Sequence, residues 1–210
     1  MRVLLILALV YMPLTVSAVT LDFEDLSEAT LVTDQYLSLG VSFDHAIILT
    51  AGVNLDDYDY PPLSGSNVLS DFGGPIAMTF SAPINSVSLH TTYGLPLTIS
   101  IFGTDGTLVD ELSTAFASNS SISGDSGSQP NELITYTYSS GIGAVVLTGA
   151  ASGQSFVLDD LSVTPVPEAP SWLCLAAGLF SLLCLPHLLC TRYKVARHSQ
   201  HISRKGGRSS

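Results

Sequence analysis

Four carboxylates lie near the two ends of the acidic middle of the chain, Asp22 and Glu24 at its start and Asp159 and Asp160 at its close. The segment Leu21-Asp22-Phe23-Glu24 alternates, and an extended strand would place Leu21 and Phe23 on one face and Asp22 and Glu24 on the other. The closing segment, Phe156-Val157-Leu158-Asp159-Asp160-Leu161-Ser162-Val163, alternates in two runs that are out of phase. A bulge at Asp159-Asp160 would turn Phe156, Leu158, Leu161 and Val163 all toward one core. If the terminal strands are neighbours, the four acids gather with no cation from the protein to offset them. Asp22, Glu24, Asp159 and Asp160 then suit a calcium ion, which takes six to eight oxygen ligands. The plainer alternative is that one aspartate caps the bulge and the others face water.

A second constellation occupies the loop 53–63, where Asp56, Asp57, Tyr58, Asp59 and Tyr60 precede Pro61-Pro62. Tyrosine offers a flat apolar face with a polar rim, and binding residues concentrate on loops held by a rigid scaffold. Tyr58 and Tyr60, with Asp56, Asp57 and Asp59, are therefore candidate ligand contacts; the alternative is a solvated loop with packed tyrosines. Catalysis fits poorly. Between Val19 and Pro165 the chain has two histidines, His45 and His90, and no Cys, Lys or Arg. Neither histidine stands in a Ser-His-Asp pattern, and no carboxylate pair is singled out for glycoside hydrolysis, so no catalytic residue is assigned.

Charge is distributed unevenly along the chain. Of seven Lys and Arg, Arg2 stands at the start and the other six (Arg192, Lys194, Arg197, Arg204, Lys205, Arg208) stand near the end. All but Glu168 of the 18 acidic residues fall between Val19 and Pro165. The middle is a polyanion, which disfavours nucleic acid and anionic lipid headgroups and favours solubility and divalent cations. All three cysteines, Cys174, Cys184 and Cys190, lie outside it, so the middle segment has no disulfide.

The elements that must position these residues read as strands. Period-two runs at 20–24, 41–49, 67–70, 76–80, 84–92, 97–102, 107–112, 133–138, 144–148 and 155–164 are separated by Gly, Pro, Asn, Asp and Ser. Thr104-Asp105-Gly106 marks a tight hairpin and Gly73-Gly74-Pro75 another turn. The segment 113–130, rich in Ser and Gly, reads as a mobile loop and carries the sequon Asn119-Ser120-Ser121. The pattern predicts an all-β fold, an antiparallel jelly-roll-like β-sandwich over 19–165, flanked by an N-terminal signal peptide and a C-terminal transmembrane helix.

Both flanks are addressed to the membrane. Met1-Arg2, the apolar run from Val3 to Val10 and Val16-Ser17-Ala18 have the layout of a secretory signal peptide over 1–18. An apolar stretch at about 172–190 has the roughly 20 residues that a helix needs to cross ~30 Å of hydrocarbon. Arg192, Lys194 and Arg197 follow it as a stop-transfer cluster, placing the C-terminus and the basic tail 195–210 in the cytoplasm and the β-domain outside.

The signal peptide, a Ser/Thr/Gly-rich acidic domain ending in Leu158-Asp159-Asp160-Leu161-Ser162-Val163-Thr164, and then Val166-Pro167-Glu168 before an apolar span and a basic cluster together resemble the bacterial PEP-CTERM proteins. Leu21-Asp22-Phe23-Glu24-Asp25-Leu26, Thr33-Asp34-Gln35-Tyr36, Gly40-Val41-Ser42-Phe43 and Gly73-Gly74-Pro75-Ile76 are similar to the β-sandwich domain common in that family. The resemblance implies an exported substrate of an exosortase, delivered to the envelope or to an extracellular polysaccharide matrix. It places the sorting signal at 166–194, with Pro167, Glu168 and Pro170 in the motif. Ala169 separates Glu168 from Pro170, and the tail after Arg192 is longer than the family's short basic end. These expectations make the chain a membrane-anchored or processed surface protein with a non-catalytic, carbohydrate-associated domain. A secreted carboxylate-dependent glycoside hydrolase and a purely structural matrix protein remain alternatives.

Overall fold

A computed structural model describes residues 17–167. The signal-peptide residues up to 16, the span 172–190, Glu168 and Pro170 of the sorting motif, and Arg192, Lys194 and Arg197 lie outside the described residues. Ten strands follow in chain order: β1 Val19–Leu21, β2 Leu31–Val32, β3 Val41–Asp44, β4 Ala46–Thr50, β5 Asn67–Phe72, β6 Ile76–Tyr93, β7 Thr98–Gly103, β8 Leu108–Ser113, β9 Glu132–Thr148 and β10 Gly153–Pro165. A 3-10 turn, Leu37–Leu39, lies between β2 and β3. All ten strands join one antiparallel sheet in the order β2-β4-β5-β10-β6-β9-β7-β8, with β1 added to β10 and β3 to β6.

Two of the expected breaks are absent. The runs 76–80 and 84–92 form the single strand β6, and 133–138 and 144–148 form β9. Each long strand changes partners part-way. The first part of β6 pairs with β3 and with Ala144–Leu147 of β9; the second pairs with β10 and with Glu132–Thr137 of β9. The ladder shifts register between Thr79 and Ser86, around Pro83, which has no N–H to donate. Facing it, Gly141 adopts φ 97°, and a Cβ there would stand 3.0 Å from the Pro83 ring. Ile76, Met78 and Phe80 before the bend and Val87, Leu89 and Tyr93 after it belong to one core, so both halves of the sheet enclose the same apolar interior.

One expected strand divides. The run 41–49 breaks at His45, which takes φ 57° while its amide donates to Asp44 Oδ1 at 3.0 Å. The break restores phase: Val41 and Phe43 are buried before it, and Ala46 and Ile48 after it. The first strand also stops at Leu21, short of Glu24. Phe23 turns into the left-handed region at φ 62° to bring its ring against Tyr36 and Phe43, with edge-to-face centroid separations of 5.7 and 6.1 Å. The Tyr36 hydroxyl donates to Asp25, and burial together with that carboxylate pushes the phenol well above its ordinary range.

The expected bulge in the last strand is present. Asp160 has φ 48° and the β10–β6 register shifts between Asp159 and Ser162. Phe156, Leu158, Leu161 and Val163 are all buried, which an uninterrupted alternation could not achieve.

Candidate functional site

The acidic and aromatic loop 53–63 lies over the outer face of β5 and β10. Val68 of β5 and Val157 of β10 point away from the main core and form a small satellite cluster with Leu55, against which Leu49, Ala51 and Tyr60 pack. The two tyrosines therefore divide. Tyr60 closes the satellite cluster, whereas Tyr58 is 78 % exposed. Between them the backbone is fixed: the Tyr60 amide donates to the Asp56 carbonyl at 2.8 Å.

Asp59 ties this loop to the segment that the composition marks as mobile. Its Oδ1 accepts from the amides of Ile122 (2.9 Å) and Ser123 (3.0 Å), its Oδ2 from the Ser123 hydroxyl (2.9 Å), and its carbonyl from the Ser121 amide (2.9 Å). The 113–130 segment is anchored at further points. Asp125 Oδ2 accepts from the Ala117 amide at 2.8 Å, and the Thr114 amide donates to the Leu97 carbonyl at 3.1 Å. Asn119 is fully buried; its Oδ1 accepts from the Tyr93 amide at 2.6 Å and its Nδ2 donates to the Thr91 carbonyl at 2.9 Å. Polar residues here supply anchors rather than solvation, because each side chain takes up a backbone group that the loop would leave orphaned. The sequon asparagine is one of those anchors.

The exit of the tyrosine loop is held by the carboxylates predicted to bind metal. Asp159 Oδ2 accepts from the amides of Leu63 (2.8 Å) and Ser64 (3.0 Å), and Asp160 Oδ1 accepts from the Ser64 hydroxyl (2.9 Å). Glu24 Oε1 accepts from the amides of Ser66 (2.9 Å) and Asn67 (2.6 Å). Asp22 stays local, accepting from the Glu24 amide at 3.3 Å. The terminal strands are neighbours, as expected, with Val19 opposite Val163. The acids nevertheless do not converge on a point. Among the described residues no group of three or more His, Cys, Asp or Glu could hold a metal ion. Asp159, Asp160 and Glu24 instead face a common loop, 63–67, whose amide and hydroxyl donors stand where a cation was expected. Desolvation pushes the buried Asp159 carboxyl above its ordinary range, against the lowering effect of the Ser64, Leu63 and Asp160 amides.

Neither histidine completes a catalytic set among the described residues. His45 is exposed, with Nδ1 3.3 Å from Asp44 Oδ2. His90 lies in register with Asp159, and its buried Nδ1 has no hydrogen-bond partner among the described residues. One buried acid is not among the sequence candidates. Asp71 is fully buried, and its carboxylate accepts from the Ser155 amide and hydroxyl, each at 2.8 Å, and from the Phe156 amide at 3.1 Å. Its signal is a lone acid inside the strand-like run Val68-Leu69-Ser70-Asp71-Phe72.

No family model and no curated protein matches the chain. Solved structures do. The chain is similar to the K2 cleaved adhesin domain of Lys-gingipain, at 16 % identity over 70 % of this chain and 99 % of that one, with a TM-score of 0.45. It is similar to a family 35 carbohydrate-binding module from Clostridium thermocellum, at 20 % identity over 70 % and 97 % of the two chains, with a TM-score of 0.36. A family 11 carbohydrate-binding module from Clostridium thermocellum matches at 11 % identity over 74 % and 99 %, with a TM-score of 0.34.

Proposed function

We propose that residues 19–165 form an exported, non-catalytic module of jelly-roll type that associates with extracellular polysaccharide through the loop bearing Tyr58. One observation carries this reading: Tyr58 is 78 % exposed, yet its loop is hydrogen-bonded on both sides, through Asp59 to Ser121, Ile122 and Ser123 and through Leu63 and Ser64 to Asp159. A large aromatic face displayed on a fixed backbone costs little further ordering when a sugar ring stacks on it. Asp56 and Asp57 precede Tyr58 in the chain, and with no Lys or Arg in the domain the surface repels uronate and phosphate polymers. Neutral glycans fit it better.

The wider reading places this module outside the cell. The signal 1–18 exports it, the span at about 172–190 holds it, and an exosortase-like enzyme acts around Pro167 and Glu168 to deliver it to the envelope or matrix. Mass spectrometry of the mature protein tests that part. A C-terminus within residues 166–171 supports processing, and an intact tail opposes it. For the domain, a panel of neutral glycans is assayed for retention and for new reducing ends. Retention without turnover supports a binding module, turnover contradicts it in favour of a hydrolase, and neither outcome leaves a structural matrix protein.

A further inference from the structure

A cleft of about 430 Å³ opens where β6 and β9 bend, lined in part by Thr79, Ser81, Pro83, Phe102, Thr104 and Ala144. Its volume is within the range of small-ligand sites. Three features set its chemistry. First, no titratable side chain lines it, although the domain has acids throughout. Asp105, in the adjoining turn, is directed elsewhere, accepting from the Thr107 amide at 3.0 Å and the Thr107 hydroxyl at 2.7 Å. Second, the Thr79, Ser81 and Thr104 hydroxyls form no hydrogen bond among the described residues, so each is free to donate and to accept. Third, Phe102 is half-buried on the outer face of β7, opposite Ala144 of β9, where a larger residue would fill the space in front of the ring.

The floor is bare backbone by necessity. A Cβ at Gly143 would stand 2.7 Å from the Gly103 carbonyl oxygen and 3.0 Å from Thr104 Cα. Side chains are thereby excluded from the point where the 103–104 turn rests on β9.

We propose that this cleft is a second ligand site, separate from Tyr58, and that it takes a neutral pyranose. An apolar ring face would lie on Phe102 and Pro83, and the sugar hydroxyls would exchange hydrogen bonds with Thr79, Ser81 and Thr104. The absence of charge decides the class. A uronate, phosphate or ammonium group would enter without a partner, and burying an unpaired charge is unfavourable. Hydroxyls that both donate and accept match the mixed demand of sugar hydroxyls. About ten residues of β6 separate the cleft from Thr92 and Tyr93 beneath the other loops, roughly 30 Å along the strand. One extended polysaccharide could engage both sites, with the gain in avidity that linkage gives.

The test is an amide NMR titration of the β-domain with neutral oligosaccharides of the gluco, manno, galacto and xylo series, and with an oligouronate. The proposal expects saturable shifts at Gly103, Gly106 and Gly143 with at least one neutral series and none with the uronate. Ala144→Leu should abolish them, Ser81→Ala with Thr104→Val should weaken binding by about tenfold, the scale of one or two lost hydrogen bonds, and Tyr58→Ala should leave them unchanged. Absence of saturable shifts across every neutral series overturns the proposal, as does undiminished binding by the Ser81→Ala/Thr104→Val protein, whose exposed substitutions leave folding intact even if Ala144→Leu does not. Loss of the shifts in Tyr58→Ala overturns the separateness of the site. Shifts here with no shift at the Tyr58 amide or elsewhere in the loop 53–63 would contradict the loop reading alone.

Discussion

Asp59 and Ser123 are joined by two hydrogen bonds, the Ser123 amide donating to Asp59 Oδ1 at 3.0 Å and its hydroxyl to Oδ2 at 2.9 Å. Through this pair, two loops well separated along the chain form one surface. The same donors, the Ser123 amide first and the Ile122 amide next, hold the Asp59 carboxyl below its ordinary range. A carboxyl lowered in the folded state stabilises above the unfolded value and loses that contribution as pH falls through the folded one. Amide exchange should therefore show Ile122 and Ser123 protected above about pH 4, with protection declining below it. Asp59→Ala should remove that protection at every pH. Equal protection in the variant would show that Asp59 does not hold the loop.

Asp71 should be the most sensitive acid in the domain. Its removal leaves the Ser155 and Phe156 amides buried without an acceptor. Asp71→Ala is expected to cost about 3–5 kcal/mol, seen as a fall in Tm of roughly 10 °C for a domain of this size. Asp71→Asn, which retains an acceptor oxygen, should cost less. A change of a degree or two in the alanine variant would show that Asp71 does not hold these amides.

Asp159 should give the opposite pH dependence to Asp59. Burial raises its carboxyl above the ordinary range, so the folded state binds the proton more tightly than the unfolded chain. Its contribution is therefore most favourable at low pH and is lost as pH rises through the raised folded value. Asp159→Asn still offers an oxygen to the Leu63 and Ser64 amides, and it should lack that dependence. Denaturant unfolding of both proteins between about pH 4 and 7 measures the difference. A stability gap independent of pH would refute this assignment.

Asn119 should carry no glycan in the folded protein, despite its sequon. Both ends of its amide are engaged, by the Tyr93 amide and the Thr91 carbonyl. Asn119→Ala is expected to cost about 2–3 kcal/mol by leaving buried backbone groups unsatisfied. Intact-mass measurement of protein from a glycosylating host checks the first expectation, and a chemical melt the second.

Much of this fold is legible in the alternation of apolar residues along the chain. The phase change across Asp159-Asp160 announces the bulge there, and the pairing of β1 with β10 agrees with the expected neighbouring of the terminal strands. The phase change between Phe43 and Ala46 carries the same kind of information about His45, but the continuous apolar run Ala46-Ile47-Ile48-Leu49 that follows masks it. Strand lengths are not legible at Pro83 and Gly141. Both residue types usually end strands, but here they face each other and let two long strands bend together. The loop 113–130 departs from its composition for a related reason. Ser, Gly, Asn and Asp describe a solvated linker by composition, yet the same side chains can satisfy a loop's own backbone, and only three-dimensional placement distinguishes the two. The carboxylates of Glu24, Asp159 and Asp160 do gather about one loop, and the amides and hydroxyl that they accept from are not foreseeable, because backbone N–H groups leave no mark in a sequence. No local pattern reveals the cleft at Phe102, whose walls come from β6, β7 and β9 together.

If Tyr58 presents the binding face we propose, affinity electrophoresis through gels containing neutral polysaccharide will detect it. The wild-type β-domain should be retarded, and the Tyr58→Ala variant, which should keep the wild-type Tm because Tyr58 is 78 % exposed, should lose most of that retardation. Equal retardation of the two proteins would show that Tyr58 is not the binding face.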